Sequence, residues 1–83
     1  MDYGSPISYM VLAAGTDVVC SEGNLVGHVR QVLAVAEKDI FDGILIDADG
    51  PRFVDAYQVD YIYERAVVLT LPSDEVAQLP RHN

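Results

Sequence analysis

A chain of 83 residues accommodates one small domain, and with 51% hydrophobic residues it reads as folded and not as disordered. A formal net charge of −8, with only Arg30, Lys38, Arg52, Arg65 and Arg81 on the basic side, leaves no patch for nucleic-acid phosphates and repels an anionic membrane surface. A single cysteine, Cys20, excludes an internal disulfide and a thiolate zinc site, and reads as a small buried apolar residue.

The start, Met1-Asp2-Tyr3-Gly4-Ser5-Pro6, is a loosely ordered polar lead. It has neither the basic nor the apolar region of a signal peptide, and no apolar run reaches the length of a membrane span, so the expected location is the cytoplasm, without membrane insertion. Ile7 to Leu12 is a short strand candidate that Ala13-Ala14-Gly15 breaks. Thr16 to Cys20 is rich in β-branched residues and reads as a second strand. Ser21-Glu22-Gly23-Asn24 supplies a tight turn.

Leu25 to Ala36 has an ambiguous period. Val26, Val29, Val32 and Leu33 recur at helical spacing, but four valines and Gly27 favour a long strand, bent at Gly27 or by a bulge. Glu37-Lys38-Asp39 is a charged turn. Ile44-Leu45-Ile46 is apolar on both faces, as a strand buried on both sides requires. Asp47-Ala48-Asp49-Gly50-Pro51 has strong turn chemistry, Arg52 to Ala56 is a further strand, and Tyr57 to Ile62 leads onward. Arg65 to Leu71 is the last strand. Ser73 then reads as the N-cap of a short helix, Asp74 to Leu79, that stops at Pro80.

Five or six short strands with two-sided apolar stretches predict an all-β domain wrapped on itself as a small barrel, with its core between residues 7 and 71 of the single domain 1–83. Gly15-Thr16-Asp17-Val18, Ser21 to Val29, Ile40-Phe41-Asp42-Gly43-Ile44 and Arg52-Phe53-Val54, in that order and spacing, resemble the PRC-barrel family over about residues 9–71. The family includes the cytoplasmic part of the photosynthetic reaction-centre H subunit, the C-terminal domain of a ribosome maturation factor that docks on a small-subunit protein, and many short free-standing proteins. The resemblance implies a small β-barrel that binds proteins without catalysis. The chain lacks the membrane helix of the first and the N-terminal domain of the second, so it implies no functional residues.

The candidate sites are read from the residues themselves. Asp42-Gly43 is a structural bend, with Asp42 accepting backbone N–H groups and Gly43 where a side chain would crowd the turn. Asp47-x-Asp49-Gly50 opens like a calcium loop but has Pro51 and Gln58 where ligands are needed. The alternative function is a barrel that weakly binds a metal ion or small ligand with its acidic loops, through Asp39, Asp42, Asp47 and Asp49. His28 is a partly exposed strand residue on the same face as Arg30, and His82 lies in the tail. Ser21 and Ser73 lack a nucleophile-elbow setting, and an acidic chain offers Cys20 no positive surroundings. No catalytic, cofactor or metal residue is therefore assigned.

Tyr57, Tyr61 and Tyr63 form the interaction candidate, because tyrosine combines an apolar ring with a polar tip and is enriched at interfaces. Simple alternation puts Tyr57, Val59, Tyr61 and Tyr63 on one side. The expected function is a non-catalytic protein-interaction module that binds a protein partner and associates with itself as a homodimer, since a core this small gains from assembly.

Overall fold

A computed structural model describes residues 2–82; Met1, the first residue of the polar lead, and Asn83 lie outside the described residues. The strands are β1 (Asp17–Val19), β2 (Leu25–Val35), β3 (Ile40–Asp47), β4 (Pro51–Asp55), β5 (Val59–Ile62) and β6 (Ala66–Leu69), followed by one helix, α1 (Ser73–Val76). The mainly-β class, the strand number and the short C-terminal helix all match the sequence reading. All six strands form one sheet in the order β4-β3-β2-β1-β6-β5, antiparallel except where β1 runs parallel to β6.

The sheet is not closed into a barrel. Among the described residues no ladder joins the two outer strands, β4 and β5. Yet only the 3₁₀ turn Ala56–Gln58 separates them along the chain. Three residues span about 10 Å at most, so the sheet curls until its opposite edges meet at that corner. The ladder shifts register at Val26 and Arg30 on β2, Asp42 on β3 and Asp60 on β5, each an extra residue facing one on the neighbouring strand. Such bulges bend and over-twist a sheet, and here they supply the curl. The concave face encloses Val18, Val29, Ile44, Ile46, Val54, Val67 and Leu69, and one end is closed by Val76 of α1 and Leu79 of the turn that follows it.

The central run behaves as its composition demands: Ile44, Leu45 and Ile46 are all buried. Asp42-Gly43 is a bend within one strand and not a turn between two. Gly43 faces Leu33, Phe41 faces Ala34, and Asp42 between them is the bulged, exposed residue. Gly43 holds φ at +149°, and a Cβ there would run into the Val54 carbonyl oxygen. Glycine is required on both counts.

The first predicted strand is not formed. Within Ile7–Leu12 the chain winds into a 3₁₀ turn, Tyr9–Val11, because Ser8 satisfies it locally: its side chain accepts from Met10 N and its carbonyl from Val11 N. Local bonding of this kind competes with sheet pairing.

Both outer strands are blunted by the chain's own ends. Ile7 N donates to Ile62 O, Glu64 N to Ser5 O and Arg65 N to Tyr3 O, laying residues 3–7 beside the end of β5. Phe53 N donates to Pro80 O and His82 N to Pro51 O, laying the C-terminal segment along β4. Covered edges do not template further strands.

Candidate apolar interaction face

Two of the three candidate tyrosines meet. The Tyr61 and Tyr63 rings lie 5.8 Å apart, and Tyr3 extends the row with its ring 5.8 Å from Tyr63. Such tilted pairs sit within the range of favourable aromatic contact. Tyr57 is exposed on the 3₁₀ turn before β5, outside this row. Simple alternation fails here because Asp60 is a bulge: Val59 and Ile62 turn inward to pack on the core, while Tyr61 stays 56% exposed.

The larger feature was not visible in sequence. Tyr61, Val59, Ile62, Phe41, Pro6 and Ile7 line a groove along the open seam between β5 and the strands beyond it. The Phe41 ring stacks on Tyr9, with centroids 5.0 Å apart. Tyr9 in turn borders a second groove of about 420 Å³, walled by Met10, Leu12, Val32, Ala34 and Ala36. Two grooves thus flank a Tyr9–Phe41 ridge, and the one acid among their walls is Asp60. Beside them Met10 and Val11 stand 59% and 66% exposed, unusual for large apolar side chains. The ridge is tied down by Tyr9, whose hydroxyl donates to Asp39 Oδ1 at 2.8 Å. That hydrogen bond, with burial and the Asp39 charge behind it, raises the Tyr9 pKa above its ordinary value of 10.0.

The other end of the molecule is polar and locked. Arg52 is only 7% exposed. Its Nε donates to Ala48 O and its Nη1 to Leu79 O, each at 2.8 Å. Pro51 has no N–H to return to the Ala48 carbonyl across the hairpin turn, and Arg52 provides that donor. The same guanidinium fixes the end of α1. It borders a recess of about 190 Å³ with Asp49 and Ser73 in its wall.

Ser73 is not the N-cap; Pro72 occupies that position. Instead Glu22, from the β1–β2 turn, accepts from both the Ser73 backbone N–H and its hydroxyl at 3.3 Å. Cys20 Sγ lies 3.4 Å from Ser73 Oγ and 3.9 Å from Glu22 Oε1. Burial pushes the Cys20 thiol up, while contacts with Ser73, Asn24 and Glu22 bring it below its ordinary value. The residue is fully buried, so this set anchors α1 and offers no open nucleophile.

The acids of the alternative reading do not converge. Asp39 and Asp42 stand at one end of β3, Asp47 and Asp49 at the other, and the five residues from Asp42 to Asp47 span about 16 Å. Asp47 is engaged by Arg30 at 3.1 Å, and His28 by Asp17 at 3.4 Å. Among the described residues no group of three or more His, Cys, Asp or Glu is placed to hold a metal ion. Among the described residues no helix is long and apolar enough to cross a membrane. No protein-family model matches the chain, and no curated protein matches it.

Proposed function

We propose that this chain is a non-catalytic protein-interaction module of the cytoplasm that assembles with itself as a homodimer. The observation that carries the reading is the Tyr61–Tyr63–Tyr3 row, with Tyr61 exposed and the other two rings half-buried, beside an apolar seam on a chain of strongly acidic net charge. Rigid aromatic rings contribute large contact area at low entropic cost, which is why they dominate binding energy at interfaces. The order and spacing of the glycine and β-branched motifs, which resemble those of PRC-barrel domains, support the same kind of role. So does the size of the core, since a domain this small gains stability by covering apolar surface in an assembly.

Light scattering on a gel-filtration column across a concentration series tests the reading. A mass rising to twice 9.1 kDa with concentration is the expected result. Tyr61→Asp weakens that association without lowering the folded content seen by circular dichroism. A constant single-chain mass up to millimolar concentration refutes self-association. Unchanged assembly of Tyr61→Asp removes the tyrosine row from the contact.

A further inference from the structure

We infer that the second groove, between the Tyr9–Val11 turn and β2, is the seat of a second copy of this chain, with Met10 and Val11 of each copy entering the groove of the other. This rests on the self-association proposed above and centres the contact on this groove, with Tyr61 at its margin across the Tyr9–Phe41 ridge.

Three observations point to a second copy. The first is shape. A two-fold contact pairs one patch with itself, so it needs a projection and a recess side by side on the same face. Met10 and Val11 project, 59% and 66% exposed, and the recess walled by Leu12, Val32 and Ala34 lies next to them. Met10 belongs to both features, as a wall of the recess and a side chain standing clear of it.

The second is charge. Two chains of formal charge −8 repel one another over most of their surfaces. The walls of this groove contain no charged residue at all. At the rim the turn that begins at Ala36 carries Glu37 and Lys38, one charge of each sign, and the Asp39 carboxylate is engaged by the Tyr9 hydroxyl. A contact between like-charged copies is least opposed here.

The third is the state of the edges. The chain's own ends lie along part of β4 and the end of β5, which turns away a partner that would extend the sheet over those stretches. Docking through the groove needs neither of those edges. An interface of ordinary size takes about 800 Å² from each partner, roughly a sixth of the 4882 Å² this chain exposes. An interface at the low end of that range dissociates in the micromolar regime.

The test compares the masses of wild type, Met10→Glu, Val11→Glu and Leu25→Glu by light scattering from micromolar to millimolar concentration, with circular dichroism on each. All three replaced side chains are exposed, so the fold tolerates the changes. Leu25→Glu adds the same charge at the far end of β2, outside the groove. The expected result is that Met10→Glu and Val11→Glu each raise the dimer dissociation constant about thirtyfold or more, while Leu25→Glu leaves it within about twofold. Should wild type dimerise and both groove variants dimerise equally well, the groove assignment is overturned and self-association stands. A wild type that stays single-chain throughout overturns both. If Leu25→Glu weakens the dimer as much as the groove variants do, the effect is general repulsion, and the groove assignment again fails.

Discussion

Replacing Gly43 by alanine separates two costs that this fold imposes at its bend. A Cβ at Gly43 enters a backbone held at φ +149° and meets the Val54 carbonyl oxygen, which cannot swing aside because it belongs to the β3–β4 ladder. Gly23 and Gly27 isolate the two terms. Gly23 has φ +86° with nothing within 4 Å of its would-be Cβ, so Gly23→Ala carries the conformational cost alone, about 1–2 kcal/mol. A Cβ at Gly27 runs into the Asp47 carbonyl with φ outside the positive region, so Gly27→Ala carries the steric cost alone, about 1–3 kcal/mol. Gly43→Ala combines both, about 2–5 kcal/mol. A domain of this length is stable by about 4–12 kcal/mol, so the loss is a large fraction of the total. At about 4–8 °C per kcal/mol, the midpoint of thermal unfolding falls by at least about 8 °C for Gly43→Ala, and by less for either of the others. Circular dichroism melts of the three variants and wild type, at equal protein concentration, read this directly. If Gly43→Ala melts within about 4 °C of wild type, the bulge at Asp42 relaxes freely and the close approach does not define the curl. If Gly23→Ala costs as much as Gly43→Ala, the backbone angle alone matters and the steric argument falls.

Arg52→Met leaves the Ala48 and Leu79 carbonyls without their donor and costs about 2–4 kcal/mol, measured as a lower urea midpoint; a midpoint within error of wild type would mean that water replaces both bonds. Glu22→Ala releases Ser73 and loosens α1 over Cys20, so the thiol reacts with an aromatic disulfide reagent several-fold faster under native conditions; an unchanged rate would show that α1 is held by Val76 and Leu79 alone. Tyr9 has its pKa raised above 10.0 by the hydrogen bond to Asp39 first, then burial, then the Asp39 charge, so its contribution is complete below pH 10 and is lost as pH rises through the folded-state value. Between about pH 9 and 12 the stability of wild type therefore falls more steeply than that of Tyr9→Phe, and parallel pH profiles would refute the link.

The strands that β-branched residues dominate were legible: Val18-Val19, the valines of β2, Ile44 to Ile46 and Val67 to Leu69 all lie where composition put them. The tight turn at Gly23 was legible for the same local reason. What sequence hid was set by partners distant along the chain. Ile7–Leu12 has strand composition, but only Ile7 bonds to the end of β5, and Ser8 decides the conformation of the residues after it. Ser73 has cap chemistry, but Glu22, 51 residues earlier, reaches its hydroxyl and backbone first. The tyrosines of β5 followed alternation only as far as the bulge at Asp60, and no local signal marks that residue. Arg52 left a trace in retrospect: a turn ending in proline lacks one donor, and the next residue is a cation long enough to supply it.

Closure was the harder inference, and its outcome bears on the interface. A completed barrel has no edges and presents a uniform outer wall. Here β4 and β5 approach at one corner without pairing, and the gap becomes the apolar groove lined by Phe41, Val59 and Tyr61. The chain's own ends cover part of β4 and the end of β5, so the unclosed seam favours a docking face over a site for strand addition. The same bulges that curl the sheet also turn Tyr61 outward while Val59 and Ile62 face the core. Curl, seam and apolar face thus share one cause. Deleting Asp60 would remove the bulge yet leave Tyr61 outward and Ile62 in the core, so a loss of association with the core intact would trace the face to the curl of the sheet and not to the orientation of Tyr61 alone.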